Sequence, residues 1–181
     1  MLYEKCSEVS PEYWQELKQA DPADIGRRTG AVLEHGVWRL PFLNRELWVD
    51  LDRESVRGSD ATDSEPDFLT CLTVILYLLR VDPSVLGPPV SPMELTGAST
   101  FFQARGPHAL PTAPLERTFG AEPAAFLEAG RRLGAQKRPA GDAALALRVY
   151  PGLTVEVILW VADEEFPAQA SFTVPANLDR F

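Results

Sequence analysis

The stretch Leu153-Thr154-Val155-Glu156-Val157-Ile158-Leu159-Trp160-Val161 decides how this chain is read. Apolar residues fill both alternating sets of positions, broken only by Thr154 and Glu156. A strand that is apolar on both sides belongs inside a sheet covered on both faces. Residues 143–149 just before it have the same character apart from Arg148, and Pro151-Gly152 supplies a turn between the two. Together they predict a hairpin at the centre of a sheet. Pairing Tyr150 with Leu153 would set Asp142 opposite Val161. An acidic turn follows at once, Asp163-Glu164-Glu165-Phe166-Pro167, and a further strand is expected over residues 169–174.

Working outward, a second hairpin is predicted between Val37 and Leu51. Trp38, Leu40 and Phe42 alternate with other residues, as do Leu47, Val49 and Leu51. With Asn44-Arg45 as a two-residue turn, Phe42 pairs with Leu47, Leu40 with Val49 and Trp38 with Leu51, and Arg39 faces Asp50. Pro41 has no N–H for a ladder, so its strand is expected to have a free edge there.

Helical signals lie between these strands. Ser10 and Pro11 start a first helix, and Asp21-Pro22 a second that runs toward Gly26, with Gly30 turning into β structure. Residues 58–66 read as a polar, acidic, mobile loop. Ser64 and Asp67 suggest a capping box for a core helix whose stripe is Phe68, Leu72, Ile75, Leu76 and Leu79, widened by Leu69, Val74 and Leu78. Residues 82–113 are rich in proline and read as irregular, with short turns near 92–95 and 99–102. Further helices are expected over 115–119 and 123–133, the latter closed by Gly134. The whole predicts one α+β domain spanning residues 1–181, mainly an antiparallel sheet with helices packed against it.

A net charge of −9 argues against nucleic acid and anionic membranes as partners. Two cysteines, Cys6 and Cys71, are too few for a disulfide framework or an iron–sulfur site. No apolar run is long enough to span a bilayer, and the first nine residues lack the apolar core of a signal peptide. A reducing cytoplasm is the expected compartment.

Catalytic motifs are sparse. Paired-cysteine, HExxH, Walker-type, GxGxxG and GxSxG patterns do not occur. His108, in Arg105-Gly106-Pro107-His108, stands in a loop setting where an axial ligand or a general base can live, and equally where a surface histidine titrates without a role. Arg27 and Arg28, inside Gly26-Arg27-Arg28-Thr29-Gly30, could cradle an anion, although glycine and arginine also belong at a helix C-terminus. Cys71 falls in the core helix as a small hydrophobe. Phe101-Phe102 and Trp160 read as core. The carboxylates are the most suggestive group. Asp142 and Asp163, at one end of the predicted hairpin with Glu165 nearby, are candidates for binding a hard cation, holding an arginine or sharing a proton, against the alternative that Asp163 caps a turn.

An ordered set of segments runs along the chain: Arg28-Thr29-Gly30-Ala31, the hairpin from Trp38 to Val49, Leu76-Tyr77-Leu78, Glu94-Leu95-Thr96-Gly97, Phe119-Gly120, Gly141-Asp142, Ile158-Leu159-Trp160 and the acidic turn. In this set the chain resembles the domain-of-unknown-function family 3786, an uncharacterised family found mainly in anaerobic bacteria and archaea. The resemblance carries no established activity. Some relatives look like fusions behind a four-cysteine iron–sulfur domain, which implies a role beside anaerobic redox or corrinoid proteins. The chain departs from the family where relatives continue with Leu-Phe-Asp after the acidic turn. It has Phe172-Thr173-Val174 instead and ends at Phe181. If that aspartate belongs to a carboxylate site, the site is incomplete here.

Three functional expectations follow. The first is a non-catalytic binding or accessory domain acting with a redox or corrinoid protein. The second is a carboxylate-dependent, metal-assisted hydrolase using Asp142, Asp163 and Glu165, with Asp142 and Asp163 as metal ligands. The third is haem or corrinoid binding through His108.

Overall fold

The computed structural model describes residues 5–59, 66–98 and 109–181. His108, Ser64, Phe101-Phe102 and the turn expected near 99–102 lie outside these residues. Among the described residues the strands form two antiparallel sheets, of four strands (β1-β2-β3-β4) and five strands (β5-β9-β8-β7-β6). The α+β, antiparallel character is as expected from the sequence. The division of the strands between two sheets was not, because alternation does not name pairing partners. The chain falls into two compact units.

The first unit comprises residues 1–84, the turn residues 150–152, and Phe181. Helices α1 (Pro11–Gln19) and α2 (Pro22–Thr29) start as their sequences require: the Ser10 side chain accepts from the Glu12 N–H and Asp21 from the Ala23 N–H, each beside a proline in the first turn. Helix α2 runs past Gly26 to Thr29 and is closed by Gly30 in the left-handed region at φ 70°. Helix α3 (Phe68–Arg80) is capped by Asp67, whose carboxylate accepts from the Thr70 N–H at 2.7 Å, so a local aspartate does the capping. Its buried residues are Cys71, Val74, Ile75, Tyr77 and Leu78, whereas Leu69 is 66% exposed. Val74, Ile75 and Leu78 of the expected stripe are buried, while Phe68, Leu72, Leu76 and Leu79 are half-buried, because a helix this rich in leucine has apolar side chains on more than one face.

The four-stranded sheet contains β1 (Val32–Glu34), β2 (Val37–Phe42), β3 (Arg45–Asp50) and β4 (Ser55–Gly58). Trp38, Leu40, Leu47, Val49 and Val56 form its buried face. The register differs from expectation: Leu40 pairs with Leu47, Trp38 with Val49 and Phe42 with Arg45, two residues away from the predicted pairing. A one-residue slip would expose the apolar face; a two-residue slip keeps it, so alternation alone does not separate these registers. The turn is Leu43-Asn44, with Leu43 at φ 53°. In this register Arg39 faces Trp48, not Asp50, and Trp48 faces Arg57. Both guanidiniums lie over the indole, at 5.1 and 4.9 Å from the ring centroid, a cation–π ladder across three strands. Pro41 lies beyond the reach of β1, which pairs only with residues 37–39, so its edge is free as expected.

The second unit comprises residues 85–149 and 153–180. Its sheet contains β5 (Pro89–Val90), β6 (Gln136–Arg138), β7 (Ala143–Tyr150), β8 (Leu153–Trp160) and β9 (Gln169–Pro175). Helices α4 (Thr112–Phe119) and α5 (Pro123–Arg132) contribute to its core. That core is Phe126, Ala143, Leu145, Val157 and Leu159, with Leu115, Phe119, Leu127 and Phe172 against it. Strand β8 is the third of the five, as its composition predicts. Its two faces are covered unequally, however: Leu153, Val157 and Leu159 are buried with Val155 half-buried between them, whereas Thr154, Glu156 and Ile158 are half-buried and Trp160 exposed. The hairpin also departs from the simple register at its end. The Asp142 N–H donates to the Leu159 carbonyl at 2.9 Å, so the backbone of Asp142 does not face Val161.

One arginine ties α2 to α3. Arg28 donates to the carbonyls of Leu78 (3.0 Å) and Val81 (2.5 Å) while its Nε holds Asp24 at 2.7 Å. It satisfies carbonyls at the end of α3 that have no helical partner. Arg28→Met is therefore expected to lower the unfolding free energy by about 1–3 kcal/mol in urea titrations. Arg27→Met, at a side chain 67% exposed, is expected to change it by less than about 0.5 kcal/mol. Equal, small effects would show that water serves these carbonyls instead.

Candidate functional site

The acidic turn leaves the sheet where β8 ends, and its backbone donors are satisfied one by one. The Val161 N–H donates to Asp142 Oδ2 at 2.8 Å. The Ala162 N–H donates to the Gly120 carbonyl at 3.0 Å, and the Asp163 N–H to the Phe166 carbonyl at 3.0 Å. Asp163 Oδ1 accepts from the N–H groups of both Glu165 (2.9 Å) and Phe166 (2.7 Å). The turn is a small hydrogen-bonded frame, not a loose acidic loop.

Glycine is required at two points around it. Gly141 has φ 53°, and an added Cβ would lie 2.7 Å from the Leu159 carbonyl oxygen and 2.8 Å from Ile158 Cγ2. Gly120, at the end of α4, lies so close to the far side of the turn that an added Cβ would meet Ala168 Cβ at 2.4 Å. The Glu116 side chain of the same helix accepts from the Ala170 N–H at 3.0 Å.

Beside the frame lies an open pocket of about 280 Å³. Asp142 and Asp163 both line it, with Trp160, Phe166, Pro167 and Gln169. The structure thus brings together the two aspartates singled out in the sequence. It does so through the side chain of Asp142 rather than by strand pairing. Glu165 does not line the pocket and contributes its N–H to Asp163. The walls were not legible as walls: Trp160, expected in the core, is 41% exposed, and Phe166 is 61% exposed. Their place in the final alternation of β8 and in the acidic turn was visible, but exposure depends on what covers the sheet.

The N–H groups of Phe166 and Glu165 hold the Asp163 carboxyl below the usual aspartate range. Asp163 Oδ2 accepts no hydrogen bond among the described residues. Among the described residues, no lysine, histidine or cysteine lines the pocket. Among the described residues, no three or more His, Cys, Asp or Glu side chains are grouped to hold a metal.

The remaining sequence candidates are elsewhere or undescribed. Arg27 and Arg28 are in the last turn of α2 and both bind Asp24, at 2.6 and 2.7 Å, so this segment is a helix end and its guanidiniums are engaged. Cys71 is buried, with its thiol 3.6 Å from the Pro66 carbonyl. Tyr77 and Tyr150 stack at 4.4 Å, and burial pushes each phenol up to about 12. His108 lies outside the described residues.

Residues from β8, the acidic turn and the segment before β7 thus meet at this pocket, with Gly120 at the end of α4 bonded to the turn. A family model matches the chain over residues 21–181. The chain belongs to the family DUF3786, a domain of unknown function. No curated protein and no solved structure matches it. No helix among the described residues is long and apolar enough to cross a membrane.

The lowered Asp163 carboxyl has a consequence for acid stability. A depressed folded-state pKa adds stability above the unfolded value of about 3.9, and that stability is lost as the pH falls through the folded value. Asp163→Ala is therefore expected to lower Tm at neutral pH by an amount that shrinks below about pH 4, followed by thermal unfolding across the pH range. A deficit that stays constant into acid would show that the carboxylate charge does not hold the turn.

Proposed function

We propose that this domain is a non-catalytic binding module whose acidic, aromatic-walled pocket receives a cationic group of a protein partner, and that this partner is of the redox or corrinoid type. The observation that carries this reading is the pairing of two backbone-anchored aspartates with two exposed aromatic side chains. Asp142 and Asp163 each spend one oxygen on backbone N–H groups, which fixes their orientation. An ammonium or guanidinium group entering there meets preorganised carboxylates and the faces of Trp160 and Phe166. A cation against an aromatic face contributes about 0.5–2 kcal/mol. Exposed aromatics beside fixed polar groups are also the composition of interface hot spots. The redox or corrinoid character of the partner rests on the fusions in which relatives of this chain occur.

Affinity capture from native anaerobic extract tests this reading. The wild-type chain is expected to recover a redox- or corrinoid-related protein, and the Trp160→Ala/Phe166→Ala double variant to lose it. No such protein with wild type, or equal recovery with both, would overturn the proposal.

The meeting of Asp142 and Asp163 in one pocket also favours a second reading, a carboxylate-dependent, metal-assisted hydrolase. Mg²⁺, Mn²⁺ or Ca²⁺ is then expected to raise Tm by mass action, and Asp142→Asn to abolish the rise. An absent shift, or an equal shift in the variant, would remove it.

A further inference from the structure

A second concave site lies in the same unit, on the five-stranded sheet between its edge strand β6 and strands β7 and β8. It measures about 160 Å³ and is lined by Gly134, Gln136, Arg138, Ala146, Arg148 and Thr154. The register explains how these meet. Gln136 pairs with Ala146 and Arg138 with Ala144, so both β6 side chains stand on the face that carries the two alanines. Arg148 follows Ala146 by two residues on β7 and shares that face. Ala146 is 4% exposed. Its short side chain leaves a hollow between the longer ones.

The side chains that line this hollow are basic or neutral. Arg138 and Arg148 bring two guanidiniums to it, Gln136 an amide donor and Thr154 a hydroxyl. Arg138 is ion-paired with Glu156, Nε to Oε1 at 3.3 Å, a carboxylate two residues along β8 from Thr154. Arg148 has no acidic partner among the described residues, unlike Arg131 and Arg132, which both bind Glu128. An anion lying in the hollow would be attracted by both guanidiniums, Arg148 bringing a charge that no carboxylate among the described residues neutralises. Their planar donor forks suit oxygens at the corners of a phosphate group. The hollow is smaller than the roughly 300–1,000 Å³ of pockets for drug-sized ligands, which fits a single anionic group with the remainder of its molecule in solvent.

We propose that this hollow is a phosphate-binding subsite in which Arg138 and Arg148 clamp a phosphate or phosphomonoester group, assisted by Gln136 and Thr154. It is independent of the acidic pocket, since no residue lines both.

The test is a titration of the full chain with inorganic phosphate at low ionic strength, followed by amide chemical shifts and by calorimetry. Saturable shifts are expected at Gln136, Ala146, Arg148 and Thr154. Arg148→Gln is expected to weaken binding about tenfold or more with Tm unchanged, and Arg131→Gln to leave it within about twofold. Acetate is titrated in parallel. Weaker acetate binding supports a phosphoryl ligand, and acetate binding as tight as phosphate would overturn that choice. Shifts that never saturate, or equal affinity in Arg148→Gln, would overturn the site itself.

Discussion

Where β8 runs out of strand partners, five successive or near-successive backbone donors still need acceptors. Val161 is half-buried and residues 162–166 are exposed, so water could serve most of these donors, and each internal hydrogen bond adds a net stabilisation of about 1 kcal/mol. Here the acceptors come from three parts of the chain: the Asp142 carboxylate, the Gly120 carbonyl, and the turn's own Asp163 carboxylate and Phe166 carbonyl. That requirement explains much else in the unit. Gly141 must lie against the Leu159 carbonyl so that Asp142 can reach over the strand end, and α4 must end in a residue without a side chain so that its last carbonyl can approach. The pocket is what remains between these anchors, and its two aspartates face it because their other oxygens are tied to backbone.

This changes what the acidic turn means chemically. Three acidic residues in a row suggest a solvated, repulsive tip, or a site that recruits a metal. The structure instead uses Asp163 as a cap and Glu165 as a backbone donor, and leaves Asp142 and Asp163 as fixed acceptors beside exposed Trp160 and Phe166. Fixed acceptors with aromatic walls suit recognition of a cationic group. On the same sheet, Arg138 and Arg148 around Ala146 form a hollow of opposite sign, so one scaffold presents two electrostatically distinct surfaces.

Several of these features were legible in the sequence, for physical reasons. The caps of α1 and α2 are local, and Ser10-Pro11 and Asp21-Pro22 state them directly. The centrality of β8 followed from its composition, and the nearness of Asp142 to Asp163 from a hairpin of the right length. Other features depend on information that alternation does not contain. A two-residue slip keeps Trp38, Leu40, Leu47 and Val49 inside, so the first hairpin's register had to be decided by its turn and by the Arg39–Trp48–Arg57 stack. Strands as short and polar as Ser55–Gly58 and Gln136–Arg138 carry no period to detect. The exposure of Trp160 depends on what covers one face of the sheet, and the role of Gly120 on a helix some forty residues from the turn it touches.

The central claim is that Asp142 holds the end of β8 through the Val161 N–H and thereby builds the pocket. Native-state hydrogen exchange read at single amides measures this directly. The account predicts that Val161, Ala162 and Phe166 are protected in the wild-type chain, and that Asp142→Ala removes protection at Val161 while Leu159 in the strand stays protected. Fast exchange at Val161 in the wild type, or protection unchanged in Asp142→Ala, would contradict it.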